Sequence, residues 1–353
     1  MNAFSRLFSN ISHPIILAPM AGVTHLPFRL LCRELGANAV ITELISVQSL
    51  FYNLIGEKSS NKLKSLIATT KMEKPIGLQI FGHSSSHFKK LLSKLDLIDL
   101  GFDFLDLNVG CPVPKVCNPG AGSRLLDSGK ISELESIIKV ITSTSPDIPF
   151  SIKIRSGYKQ PLNIRKFSEM INQFELLMVT IHPRTAFQKY STFAAHSITS
   201  KLVDYCHHPV IANGDIDSLV KAEYITTKTN CAGTMIGRAA RKHPWIFNPK
   251  YQEKIPNNEF SELLKRYVSY CIAYGYPTIA FIREILVHMI RGFPFSSDFR
   301  ERIIKLQSME EIRVLINNLG DFLVDNNIDI FKFDSPILQQ IESPQKILKN
   351  YLN

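Results

Sequence analysis

Eight short β-branched or apolar runs, each closing on glycine or polar residues, constrain this chain more than any other feature: Ile15–Ala18, Ala39–Thr42, Ile76–Ile80, Phe104–Leu107, Phe150–Ile154, Leu177–Ile181, Val210–Ala212 and Thr234–Ile236. Segments of helical periodicity lie between most of them: Pro27–Leu35, His87–Leu95, Ile131–Thr142, Ile164–Gln173 and Leu219–Thr227. Continuous rather than alternating apolar strands, separated by helices, describe a parallel sheet covered on both faces. Eight such units in about 240 residues fit a (β/α)8 TIM barrel better than an open doubly wound sheet. From Trp245 onward strands stop and helical segments follow, at Glu259–Tyr274, Thr278–Arg291, Phe299–Gln307 and Met309–Val324. The expected organisation is therefore α/β, with a barrel over 1–244 and a smaller all-α domain over 245–353.

The strand ends are chemically loaded. Pro19, Met20 and Ala21 follow the first, Gln79 closes the third, and Asn108 and Cys111 follow the fourth. Lys153 and Arg155 lie on the fifth, His182 and Arg184 after the sixth, Asn213, Gly214 and Asp215 after the seventh, and Gly237 and Arg238 after the eighth. A lone lysine or histidine at such a place is most often solvated. A barrel, however, brings all these ends to its C-terminal face, where active sites are built. Cys111 sits in Asn108-Val-Gly-Cys-Pro-Val-Pro-Lys-Val116, where Gly110 permits a bend and Pro112 sets the exit. Most free cysteines are small buried hydrophobes, but this turn is too polar for a core filler.

The glycine turns Asn213-Gly214-Asp215 and Gly237-Arg238 occupy the places where this fold frequently binds phosphate. Gln79, Lys153 and His182 supply the donors that suit a flavin's ring edge. A Rossmann fingerprint is absent, which weighs against a tightly held nicotinamide cofactor. The six cysteines lack metal-ligand spacing, so no metal is expected and the thiols should be reduced. No run approaches the apolar length of a membrane span, and the N-terminus lacks a signal-peptide pattern, so the protein reads as cytoplasmic. Net charge is +10, with 28 basic against 18 acidic residues in 1–244 and 13 against 13 in 245–353. That excess suits a polyanionic partner. In Thr278–Arg291 an apolar stripe (Ile282, Ile285, Leu286, Met289, Ile290) backs a polar face of Arg283, Glu284, His288 and Arg291.

These motifs together resemble the tRNA-dihydrouridine synthases. The resemblance rests on Ala18-Pro-Met-Ala-Gly22, Pro27-Phe-Arg29, Gln79-Ile80, Leu107 to Pro112 with Lys115-Val116, Ala121-Gly-Ser123, Lys153 to Gly157, Thr180-Ile-His182 with Arg184-Thr185, Ile211 to Ile216, and Met235 to Ala240 with Pro244 to Phe247. It covers nearly the whole chain and is strongest for the bacterial DusB branch. It implies FMN-dependent, NAD(P)H-driven reduction of the C5=C6 bond of uridines in tRNA. Cys111 then matches the proton donor to C5. Pro19, Met20, Ala21, Gln79, Lys153, His182, Asn213, Gly214, Asp215, Gly237 and Arg238 match the FMN positions. Asn108, Arg184, Arg283 and Arg291 become candidate substrate contacts, with no obligatory protein partner implied. Departures are Pro183 between His182 and Arg184, Thr192 where a glycine is common, and Arg283-Glu284-Ile285 in place of an Arg-Lys-His run. The alternative activity is a flavin barrel acting on a free pyrimidine such as dihydroorotate. A third reading is a non-enzymatic RNA-binding protein that keeps the barrel as scaffold.

Overall fold

The computed structural model describes residues 2–55, 61–95, 97, 99–251, 255–275, 278–291 and 296–325. The remainder of the expected helical domain, 326–353, lies outside the described residues. The described residues form two compact units that divide after Gly237, where the sequence reading places the boundary after residue 244. The physical reason is the helix Arg238–Lys242, which packs against Pro244–Phe247 and the helix Ile279–Met289 of the second unit.

The first unit is an all-parallel sheet of nine strands: β1 (Ile15–Leu17), β2 (Val40–Ile41), β3 (Ile45–Ser46), β4 (Ile76–Phe81), β5 (Phe104–Val109), β6 (Phe150–Arg155), β7 (Val179–His182), β8 (Val210–Asn213) and β9 (Gly233–Ile236). Their order is β1-β9-β8-β7-β6-β5-β4-β2, with β3 pairing β4 off that path. An isolated parallel bridge between Ile16 and Ala39 brings β1 against the start of β2, where the Leu17 N–H donates to the Ala39 carbonyl at 3.0 Å. The eight expected strands are present, and β3 is an addition. Its two residues are too few to show a period.

Register decides what the barrel encloses. Side chains alternate between faces along a strand, and paired residues of neighbouring strands share a face. Gln79 pairs Asp106, Asp106 pairs Ser151, Asn108 pairs Lys153, Lys153 pairs Thr180, and Arg155 pairs His182. All these residues therefore face inward together. Below them, toward the strand starts, the same face is apolar, with Ile16, Phe104, Met178, Ile211 and Met235 in one buried cluster. Phe104 fills the space above Gly77, where an added Cβ would meet its ring at 2.3 Å, so only glycine fits there. The short helix Ala3–Leu7, unforeseen from sequence, lays Phe4 and Leu7 against the cluster. The barrel is thus apolar at its base and polar at its mouth.

In the second unit the helices Asn257–Ala273, Ile279–Met289, Ser296–Lys305 and Met309–Asp325 match the four helical segments read from sequence. Ile282, Ile285, Leu286, Met289 and Ile290 are buried, as the stripe requires.

Candidate active site

Cys111 stands just past the end of β5, half-buried, with its own N–H and carbonyl both hydrogen-bonded. Its carbonyl accepts from the Ser123 N–H at 3.0 Å, the Ser123 hydroxyl at 2.9 Å and the Cys117 thiol at 3.1 Å. Its own N–H donates to Asn108 Oδ1 at 2.9 Å, and the Gly110 N–H reaches the same oxygen at 3.2 Å. Gly122 has φ +58° and crowds this carbonyl: a Cβ there would lie 2.8 Å from the Cys111 oxygen. Burial pushes the thiol above its ordinary value, while the Val113 backbone, Arg155 and Lys153 pull the other way. The thiol is therefore protonated at neutral pH, which is the state a proton donor needs.

The orientation of the loop propagates inward through amides. Because two backbone N–H groups fix the Asn108 oxygen, its nitrogen must donate, and it does so to Gln79 Oε1 at 2.9 Å. That fixes Gln79 in turn, so its nitrogen donates to Asp106 Oδ2 at 2.7 Å. Ser151 Oγ donates to the other Asp106 oxygen at 2.6 Å, and Thr42 Oγ1 accepts the Gln79 backbone N–H at 3.0 Å. Asp106 is fully buried and its carboxyl is pushed up to about 6. Burial raises it, against the hydrogen bonds from Gln79 and Ser151 and the charge of Lys153.

Lys153 donates to Asn213 Oδ1 at 3.0 Å, and the Asn213 amide donates to the Met235 carbonyl at 2.7 Å. Burial and then Arg155 bring the lysine down to about 8, with Asp106 and Cys111 opposing. It remains mostly cationic at pH 7. Arg155 ties the cysteine loop to the loop after β7, donating to the Gly110 carbonyl at 3.0 Å and the Thr185 carbonyl at 3.1 Å.

His182 is buried, with Arg184 Nη1 3.1 Å from its Nε2. An arginine N–H only donates, so Nε2 accepts and the ring proton sits on Nδ1. Arg184 also donates to the Thr192 carbonyl and to Asp215 at 2.5 Å, and Asp215 accepts the Ala194 N–H at 2.8 Å. The Asp215 carboxylate thus organises the loop after β7. Gly214 and Asp215 both have positive φ, +116° and +53°, and a Cβ on Gly214 would strike the His182 ring at 2.7 Å. His196, whose Nε2 donates to the Gly214 carbonyl at 2.9 Å, holds this turn from behind. A Cβ added at Gly237 would lie 3.4 Å from Ala18 and 3.6 Å from the Met20 sulfur.

The structure thus joins Gln79, Asn108 and Cys111 in one hydrogen-bonded network, with Lys153, bonded to Asn213, acting on it by charge, and brings His182, Arg184, Gly214 and Asp215 into a second. Arg238 follows Gly237 and opens the second unit. Arg283 donates to the Ile304 and Leu306 carbonyls at 2.6 and 2.9 Å, a capping duty not anticipated from sequence. Arg291 is exposed; together with Arg241 and Lys242 it surrounds His288, which burial first and these charges next bring down to about 4. Glu284 lies 3.7 Å from Arg241. Sequence reasoning missed Asp106, Ser151, Thr42 and His196. Asp106 had a signal: with Asn108 it places polar residues at period two inside an otherwise apolar strand. His196 had none.

Fold and site together define an enzyme of the (β/α)8 class whose chemistry sits at the C-terminal ends of its strands. A family model described as dihydrouridine synthase matches residues 16–324. The tRNA-dihydrouridine synthase B of Pseudomonas aeruginosa is 30% identical over 84% of this chain and 89% of its own length. A probable tRNA-dihydrouridine synthase of Aquifex aeolicus is 31% identical over 84% and 93%. Among solved structures, histamine dehydrogenase from Rhizobium sp. 4-9 superimposes with a TM-score of 0.54 at 11% identity. The match covers 76% of this chain and 51% of that one, and it shows the fold alone. The chain belongs to the dihydrouridine synthase family, and it is an oxidoreductase. Among the described residues no helix is long and apolar enough to cross a membrane, and no cluster of three metal-ligating side chains occurs.

Proposed function

We propose that the protein reduces the C5=C6 bond of specific uridines in tRNA to 5,6-dihydrouridine, with FMN as resident cofactor and NADPH as reductant. Family membership and the names of its relatives support the reaction class. The donor set suits a flavin. Lys153 has two ammonium protons beyond its bond to Asn213, and Gln79 has one amide proton beyond its bond to Asp106. A flavin's ring edge presents acceptors at N1, O2, O4 and N5 beside one donor, N3–H, and these donors suit the acceptors.

Gln79, Lys153 and His182 would hold the ring edge, and Pro19, Met20 and Ala21 would line it. Asn213, Gly214, Asp215 and Gly237 would take the phosphate end, with Arg238 next in the chain. Bound FMN would supply hydride to C6 of the uracil. Cys111 delivers the proton to C5, and Asn108, whose amide retains one N–H, can hold the base in register. The target uridine must leave its stack to reach such a pocket, as other base-modifying enzymes require. Arg184, Arg283 and Arg291 remain proposed tRNA contacts.

The observation that carries this reading is the placement of Cys111 at the end of β5, on a turn fixed by Asn108, Ser123 and Cys117. In the test, Cys111→Ala should bind FMN and accept electrons from NADPH yet form no dihydrouridine in tRNA lacking that modification. Full product formation by the variant would refute the role of Cys111.

A further inference from the structure

The mouth of the barrel carries an aromatic and cationic patch outside the two networks above. Phe187 and Phe193, on the loop after β7, are 60% and 90% exposed. Phe187 packs edge-on against Tyr158 of the loop after β6, centroids 5.3 Å apart at 88°. Lys159 Nζ stands 5.7 Å over the Phe187 ring, and Arg124 Cζ 4.8 Å over Tyr158. Arg124 pairs with Asp127 at 3.2 Å, so its charge is partly balanced. Lys159 and Lys189 are exposed, and neither stretch, 156–163 or 183–195, contains an acidic residue. Thus exposed aromatics meet unbalanced positive charge.

The patch is also preformed. The Ala186 N–H donates to the Gly157 carbonyl at 3.0 Å, Phe187 N–H to Tyr158 at 3.4 Å, and Ser156 N–H to Arg184 at 3.2 Å. Gln188 Oε1 accepts the Thr185 N–H at 2.7 Å. Two loops zipped together in this way hold Phe187 in water at a fixed angle, so a ligand stacking on it does not have to order it first. Arg155 joins the same loops to Gly110, next to Cys111.

We propose that Tyr158, Phe187 and Phe193, with Lys159, Lys189 and Arg124, form a platform for unpaired nucleotides flanking the target uridine. The proposal rests on the tRNA reading and specifies which part of the tRNA the barrel grips. Aromatic faces stack on bases only where those bases are unstacked from their own strand, and lysines beside them meet the phosphates. A uridine drawn out of its loop leaves neighbours in that state. A purely helical RNA surface would use the cations and leave the rings idle.

The test compares Phe187→Ala, Phe193→Ala and Lys159→Ala with the wild type in FMN-loaded protein, with thermal melting as the check on folding. For either phenylalanine variant the KM for tRNA should rise about ten-fold, with kcat at saturation moving far less, and Phe187→Trp should restore it. For Lys159→Ala the slope of log affinity against log salt should shrink by about 0.7–1. Unchanged KM in both phenylalanine variants would overturn the platform. So would Phe187-dependent self-association with unaltered tRNA affinity, which would make the patch an interface between copies of the chain. If wild type formed no dihydrouridine in any tRNA, the underlying reading would fail. The platform would then still be judged by anisotropy of a short unstructured oligoribonucleotide on wild type and Phe187→Ala.

Discussion

Among the described residues of the barrel two carboxylates, Glu73 and Asp106, are completely buried, and they are supported in opposite ways. Glu73 meets Arg29 at 2.7 Å with both side chains at 0% exposure, and also accepts from the Thr69 hydroxyl and the Thr70 N–H. Arg29 directs its other donors to the Thr24 and Ala68 carbonyls. Arg29 and Glu73 neutralise each other and complete their bonds with backbone and the Thr69 hydroxyl, and the cluster pins the turn after β1 to the segment before β4. Asp106 instead has two neutral donors, Gln79 and Ser151, with Lys153 acting through space. The first arrangement closes on itself. The second leaves donors of Gln79 and Lys153 available and its carboxyl raised, and so can answer to a ligand. A buried charge that is fully paired does structural work, whereas one left underneutralised beside free donors is the arrangement that suits a ligand site.

The largest test of this contrast removes one partner. Arg29→Met should cost about 3–5 kcal/mol in urea unfolding by leaving Glu73 buried and unpaired. Arg29→Met with Glu73→Leu should recover much of that loss; a double variant as unstable as the single would show that packing, not charge, governs the cluster.

Asp106 gives the next effect. Its folded value of about 6 lies above the ordinary 3.8, so its stabilising contribution is present below about 3.8 and disappears as pH rises through about 6. A rise of that size corresponds to about 3 kcal/mol. Asp106→Asn should abolish this fall between pH 4 and 6, leaving the variant more stable than wild type at pH 7. Parallel stability curves for the two proteins would contradict the asymmetry.

His25, beside Arg29, titrates with the opposite sign. Burial and then Arg29 bring it down to about 3 from 6.5, so its contribution is complete above 6.5 and is lost as pH falls toward 3. Relative to His25→Gln, wild type should lose about 2 kcal/mol by pH 5. A difference curve flat from pH 7 to 5 would refute it. The smallest effect is on rate: dihydrouridine formation at saturating tRNA should fall as pH rises through about 8, where Lys153 loses its proton. Cys111, raised by burial, titrates in the same direction only at higher pH. An unchanged limb in Lys153→Arg would assign the decline elsewhere.

Much of the barrel was legible because a parallel strand buried on both faces leaves a continuous apolar run, and eight runs with helices between them admit few closures. The cysteine turn was equally legible, since glycine and prolines around a thiol have local conformational meaning. The duties of the polar residues were less so. The resemblance offers Arg283 as a tRNA contact and Asp215 as a cofactor residue; what it does not disclose is that the Arg283 guanidinium also caps a helix end and that the Asp215 carboxylate also braces Arg184 and Ala194. Such assignments depend on which donor comes within 3 Å of which acceptor, and no period in the chain encodes that.

By itself the sequence determined the strand and helix alternation, the chemical groups at the strand ends and the family, because these depend on local propensity and on the order of motifs. Only the tertiary structure decided the register that sets Gln79 beside Asp106 and Asn108 beside Lys153, the tautomer of His182, and the pairing of loops that holds Phe187 in water. Each of those joins residues far apart in the chain. Their geometry follows from how the strands lie against one another, and hydrogen bonds, being short and directional, exist only once that packing is complete.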